Sequence, residues 1–82
     1  MIISEQIRAA RALLGLSQGD LARIASIGVA TLRRFEAARG GIRGNAETLW
    51  KIQTALEKAG VSFIDADADA GPGVRLKIPK VT

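Results

Sequence analysis

The sequence predicts a mainly α fold of four short helices followed by a C-terminal β-hairpin. Apolar residues recur every three or four positions as far as Ala59, and the pattern changes to alternation after Gly60. The length of 82 residues suffices for one small domain. Because 48% of the residues are hydrophobic but only 4% are aromatic, the core must be aliphatic, which favours short, closely packed helices.

Capping residues predict the first two helices. Ser4 is the expected N-cap of a helix over about residues 5–14, which Gly15 ends. Ser17 caps the second helix, and Asp20 completes a capping box three residues later. The residues expected on the buried face of the second helix are Leu21, Ala22, Ile24 and Ala25.

A tight turn over residues 26–28 leads into a third helix at about residues 28–37. The helical pattern stops at this turn and resumes at Val29. Arg33 and Arg34 lie off the apolar stripe, so the third helix exposes a polar, basic side.

Asn45 caps a fourth helix, which ends at Gly60. Glu47 and Lys51 have the spacing of an i, i+4 ion pair. Trp50 lies about 100° around the helix from Leu49, one of its apolar positions. It therefore either flanks the core or covers something that docks on this helix.

The alternating pattern after Gly60 predicts two strands. Residues 65–73 are rich in turn formers, so the strands should pair as an antiparallel hairpin. A lone hairpin is marginally stable, so its apolar face should lie on the helices. We expect a helical domain over residues 1–60 and a hairpin over residues 61–82 packed on the same domain. The residues expected on the apolar face of the hairpin are Val61, Phe63, Val74, Leu76 and Ile78.

The composition excludes most catalytic chemistry. The chain contains neither cysteine nor histidine, which removes disulfides, the usual zinc ligands and histidine-assisted nucleophiles. The glycine-rich loop over residues 39–44 does not follow a strand and does not match a phosphate-binding motif. We therefore predict that the protein is not an enzyme and needs no cofactor.

The alternating aspartates of residues 65–69 begin like a calcium-binding loop. Ala70 stands where such a loop needs glycine, and Leu76 stands where it needs glutamate. We therefore predict a solvated hairpin loop and no metal site.

The first residues lack the basic start and long apolar run of a signal peptide, and no segment approaches the roughly 20 apolar residues of a membrane span. We expect no membrane partner and a cytoplasmic location, which the absence of cysteine also suits.

The positive charge is concentrated in one window. The net charge is +4, and five arginines lie between Arg23 and Arg43 against one acid, Glu36. Such a patch is typical of nucleic-acid binding, although a solvated arginine-rich surface has the same composition.

The stretch over residues 17–36, with the residue before it, contains four short motifs: Leu16-Ser17-Gln18, Leu21-Ala22, Thr31-Leu32 and Phe35-Glu36. Their spacing resembles that of the phage-repressor (Cro/lambda-repressor, XRE-type) helix-turn-helix regulators. The resemblance covers about residues 5–59 and leaves the hairpin outside it. It implies a four-helix, repressor-like helix-turn-helix domain.

The resemblance implies that the third helix enters the DNA major groove while the second helix lies across the backbone. Arginine can bind guanine through two hydrogen bonds, and small apolar side chains can contact the thymine methyl group. The residues expected to read bases are Val29, Ala30, Arg33 and Arg34. The residues expected to contact phosphates are Gln18, Thr31, Arg39 and Arg43.

The resemblance also implies a structural ion pair between Arg11 and Glu36.

Two positions depart from the family pattern. Ser26 stands where the family usually has glycine, so it must adopt a left-handed conformation unless the turn is shifted by one residue. Gly28 stands where the family has a serine or threonine cap.

These features predict a sequence-specific DNA-binding regulator, a dimeric repressor in the cytoplasm that associates with the nucleoid. One short helix contacts few base pairs, so a homodimer on paired half-sites is expected. The alternative is an antitoxin or adaptor that holds a protein partner through Trp50 and the hairpin edge. The hairpin itself either pairs through its edge strand or only covers the core.

Overall fold

The computed structural model describes residues 1–38 and 45–77. These residues form four helices and one two-stranded antiparallel sheet, so the predicted mainly α fold with a C-terminal hairpin is confirmed. No helix in the described ranges has both the length and the hydropathy needed to cross a bilayer. The elements are α1 (Ser4–Leu14), α2 (Gln18–Ile24), α3 (Val29–Ala37), α4 (Ala46–Ala59), β1 (Val61–Ile64) and β2 (Gly73–Leu76).

Helix α1 begins one residue earlier than predicted, and Ser4 is not its N-cap. Ile3 takes that position with an extended backbone, and its N–H donates to Oε1 of Gln6 at 2.9 Å. The Ser4 hydroxyl is buried and donates instead to the Phe35 carbonyl oxygen at 2.7 Å. The prediction was wrong because a buried hydroxyl needs a partner, and here that partner comes from α3 rather than from α1 itself.

The predicted start of α2 is confirmed. The Ser17 hydroxyl accepts from the Asp20 N–H at 3.0 Å, and the Asp20 carboxylate accepts from the Ser17 N–H at 3.1 Å. The hydrogen bond from the Ser17 backbone lowers the pKa of Asp20. The expected burial of Ile24 was wrong, because this last residue of α2 is 42% exposed. The neighbouring Ala25 is buried, so the core ends beside Ile24 and does not enclose it.

The turn after α2 keeps its position, with Ser26 in the left-handed region at φ 57°. The Ile27 N–H donates to the Ala22 carbonyl at 2.9 Å, and the Ser26 N–H donates to the Arg23 carbonyl at 3.2 Å. These two bonds form a Schellman motif, which satisfies the last carbonyls of α2 and forces the left-handed residue. Gly28 then takes the N-cap position of α3 without a side-chain hydrogen bond. The suggested one-residue shift of the turn is therefore wrong.

We expect Ser26→Gly to stabilise the protein by about 0.5–1 kcal/mol. A left-handed non-glycine residue destabilises the folded protein by about 1–2 kcal/mol. Glycine removes this strain, but its greater freedom in the unfolded chain lowers stability by about 0.5–1 kcal/mol, which offsets part of the gain. Chemical denaturation measures the difference. Ser26→Ala is the matched control, since it keeps the strained backbone. A loss of stability in the glycine variant would contradict strain at this turn.

The hairpin packs on the helices through three residues of its apolar face. Strand β1 pairs with β2 so that Phe63 lies opposite Val74, and both are half-buried against the core. Val61 is fully buried, but its cross-strand neighbour Leu76 is 51% exposed, so the expected burial of Leu76 was wrong. Alternation shows which residues share a face, but not how far the helices extend beneath that face. The expected strand residue Ile78 lies outside the described residues.

Gln6 attaches the hairpin to α1. Its Nε2 donates to the Gly73 carbonyl at 2.8 Å and to the Ile64 carbonyl at 3.3 Å, where the two strands meet the loop. In the loop, the Asp67 carboxylate accepts from the N–H groups of Asp69 and Ala70, and these bonds lower the pKa of Asp67. The sequence pattern did not indicate the role of Gln6, because nothing local distinguishes it from a surface glutamine.

Candidate nucleic-acid interface

Helices α2 and α3 form a helix-turn-helix unit around a shared apolar contact. Leu21 of α2 and Leu32 of α3 are fully buried, and Phe35 lies beside them at the edge of the same core. The opposite side of α3 carries Arg33 and Arg34, both exposed. The core therefore fixes which side of α3 faces solvent, and that side is basic.

Glu36 anchors the C-terminal end of α3. Its side chain is 4% exposed and forms a bidentate ion pair with Arg11, from Nε to Oε2 and from Nη2 to Oε1, both at 2.9 Å. Arg11 also donates to the Leu16 carbonyl at 3.2 Å, and Arg8 donates to the Glu36 carbonyl oxygen. The structure thus joins the two residues that the resemblance paired, and adds Arg8 as a further contact between α1 and the end of α3.

The environment of Glu36 keeps it ionised. Burial alone would raise the pKa of this carboxyl, but hydrogen bonds from Arg11 and Gln18, with the charges of Arg11 and Arg8, outweigh it and lower the pKa. The same hydrogen bond raises the pKa of Arg11. Both partners are therefore charged at neutral pH, and α3 is attached to α1 by an ion pair that little water reaches.

Gln18 connects this ion pair to the exposed side of α3. Its Nε2 donates to Oε1 of Glu36 at 3.0 Å, while its Oε1 accepts from Nε of Arg33 at 3.4 Å. The sequence predicted a phosphate contact for Gln18 but gave no sign of this bridge. Both ends of the amide have protein partners, so Gln18 holds Arg33 close to the start of α2.

Arg34 is directed differently from Arg33. Its Nη2 donates to the Thr31 hydroxyl at 3.3 Å, one turn towards the N-terminus of α3. Ala30 is exposed, whereas Val29 is half-buried against the core and offers only part of its side chain. Of the four residues expected to read bases, Val29 and Ala30 lie at the start of α3, Arg34 reaches back towards that start from the last turn, and Arg33 lies beside α2.

A further exposed arginine lies on α2. Arg23 on α2 is exposed and lies 3.5 Å from a carboxylate oxygen of Asp20. Arg39 and Arg43, which were expected to contact phosphates, lie outside the described residues. Within the described ranges, no group of three or more acidic side chains is placed to hold a metal ion.

Helices α2 and α3 pack through their apolar faces, and the exposed side of α3 carries arginines. Helix-turn-helix DNA-binding proteins have this arrangement. A family model described as helix-turn-helix matches residues 7–61. The chain belongs to this family, and it is a DNA-binding helix-turn-helix regulator of the XRE type. No curated protein matches the chain.

Proposed function

We propose that the protein is a sequence-specific transcriptional repressor that binds DNA as a homodimer and inserts α3 into the major groove. The observation that carries this proposal is the exposed pair Arg33 and Arg34 on a helix whose far side is held by Leu32 and the Glu36 ion pair. A rigid helix with arginines on one side can present them to base edges without first becoming ordered.

The two arginines have different roles in this proposal. Arg34 belongs to the last turn of α3, but its guanidinium reaches back to Thr31 in the N-terminal part of the helix. That part leads into the groove in helix-turn-helix proteins, so Arg34 reads a base in this proposal. Arg33 lies beside Gln18 at the start of α2, which crosses the backbone in such proteins. Arg33 and Gln18 therefore act closer to the phosphates. Ala30 and Val29 add apolar contact with thymine methyl groups.

The proposed repressor acts in the cytoplasm on paired half-sites. A helix of this length contacts only a few base pairs, and two copies spaced about 34 Å apart double the sequence that is recognised. Thr31, Arg39 and Arg43 supply further phosphate contacts in this proposal. The helical part over residues 1–60 carries the DNA surface, and the hairpin supports it by packing on α1 and α4.

Selection of bound sequences from a random DNA pool tests the proposal directly. We expect a palindromic consensus, because a twofold dimer presents the same helix to both half-sites. Affinity for that site should fall about 10³-fold or more between about 50 and 200 mM salt if the dimer neutralises about six or more phosphates. Recovery of no consensus, together with weak and salt-insensitive binding, would refute the proposal. It would instead support the antitoxin or adaptor alternative.

A further inference from the structure

An exposed apolar groove lies between the C-terminal end of α2 and one face of α4. Ile24 and Ala25 line its α2 side, and Trp50 and Ala55 line its α4 side. A neighbouring depression shares Ile24 and Ala55 and adds Ala59, the last residue of α4. The apolar surface therefore follows α4 from Trp50 to Ala59, which is about 14 Å along the helix axis.

The two largest apolar side chains of the groove are open to solvent. Trp50 is 65% exposed and Ile24 is 42% exposed, whereas Ala25 and Ala55 are buried and form the floor. The space beside Trp50 holds about 230 Å³, less than the roughly 300–1,000 Å³ of a small-molecule site. The groove therefore has the size for one large apolar side chain of a protein.

Among the described residues, the charged side chains that line the groove are both positive. They are Lys51 and Lys58, and the two acids of α4, Glu47 and Glu57, do not line it. Neither lysine forms an ion pair with another described residue. Seven residues separate the lysines, so they lie within about 20° of the same face and about 10 Å apart along α4. The groove thus combines an apolar floor with two positive charges on one face.

An acidic, amphipathic helix complements both properties of the groove. Its apolar side chains would remove the exposed area of Trp50 and Ile24 from water. Because a helix nearly repeats its face every seven residues, carboxylates at positions i and i+7 of the partner would reach both lysines. A nucleic-acid strand would match the lysines alone, since successive bases need several aromatic side chains to stack on and the floor here is alanine.

We infer that this groove binds an acidic amphipathic helix of another protein, with a large apolar side chain seated between Trp50 and Ile24 and carboxylates on Lys51 and Lys58. The described residues of α2 and α3 that are proposed to contact DNA do not line the groove. The protein can therefore hold this partner and DNA together. The groove binds the partner whether or not the protein is a repressor, so this interaction goes beyond the proposed function and does not rest on it.

Selection from a displayed library of random helical peptides, with the whole DNA-free protein as bait, tests the chemistry of the partner. We expect the enriched peptides to carry large aliphatic or aromatic residues at helical spacing, flanked by aspartate or glutamate. The most enriched peptide that lacks tryptophan is then titrated into the protein. Trp50 is the only tryptophan of the chain, so its emission should shift to shorter wavelength as the peptide covers it.

Three variants locate the binding site, with the anisotropy of the same peptide, fluorescently labelled, as the signal. Trp50→Ala should weaken binding by about 30-fold or more, because large aromatic anchors dominate such contacts. Lys58→Glu should weaken binding by about 10-fold or more, because it sets like charges against each other. Arg75→Glu makes the same change of charge on the hairpin and should have no effect. All three side chains are exposed, so circular dichroism should show folded variants.

Several results would overturn the inference. They are a library that enriches no peptide or only peptides without acids, unchanged binding in Trp50→Ala, and equal weakening by Lys58→Glu and Arg75→Glu. A single-stranded oligonucleotide that shifts the Trp50 emission as strongly as the peptide does would assign the groove to nucleic acid instead. A shift of that emission with protein concentration alone would show that a second copy covers the groove.

Discussion

Glu36→Ala should lower the free energy of unfolding by about 3 kcal/mol. Removing one partner of a buried ion pair costs about 3–5 kcal/mol, because the other charge is left without its partner in a poorly hydrated place. The lower end applies here, since the Arg11 side chain is 23% exposed and can recover some water. The variant also removes the acceptor of Gln18. Urea denaturation followed by circular dichroism measures the effect.

The same ion pair should make stability depend on acid pH. The pKa of Glu36 is lower in the folded protein than in the unfolded chain, where a glutamate has a pKa of about 4.3. Its stabilising effect is therefore complete above that value and is lost as pH falls through the lowered pKa. The stability difference between wild type and Glu36→Gln should shrink accordingly. Glu5→Gln, at an exposed position of α1, is the control. If Glu36→Gln and Glu5→Gln lower the free energy of unfolding equally at every pH, Glu36 has no special structural role.

Arg34→Ala should weaken binding to the selected DNA site by about 1–3 kcal/mol per contact and relax the preference at one base position of each half-site. A bidentate arginine–guanine contact discriminates by about that amount. Binding to random DNA should change much less, because loss of a base contact leaves the phosphate contacts in place. Titrations of specific and random duplexes at one fixed salt concentration measure both effects.

Two matched variants separate base reading from general charge. Arg33→Ala should weaken specific and random DNA alike, because Arg33 lies beside Gln18 at the start of α2. Arg75→Ala on the hairpin removes the same charge from an exposed position outside the helix-turn-helix unit and should have little effect. If Arg34→Ala lowers binding to both duplexes equally, Arg34 holds phosphate and does not read a base.

Local patterns in the sequence were sufficient to locate the elements. The Ser17 and Asp20 capping box, the Asn45 cap and the change of period at Gly60 each depend on neighbours a few residues away, and each appears in the structure. The exposed arginines of α3 were also predictable, because a helical period determines which side chains share a face. The basic character of that face therefore follows from the sequence alone.

Contacts between distant segments were decided only by the tertiary structure. Ser4 bonds to Phe35 across 31 residues rather than capping its own helix, and Gln6 bonds to the hairpin 67 residues away at Gly73. The exposure of Ile24 and Leu76 likewise depends on where neighbouring elements end.

The same division applies within the DNA-binding unit. The sequence by itself determined four helices, a hairpin and a basic third helix, because these depend on local spacing and capping. The packing of the helices decided that Glu36, Gln18 and Arg33 form one chain of hydrogen bonds, and that Trp50 stands beside an open groove. The physical reason is that a buried polar group takes whichever partner the fold brings within reach, and sequence distance does not limit that choice.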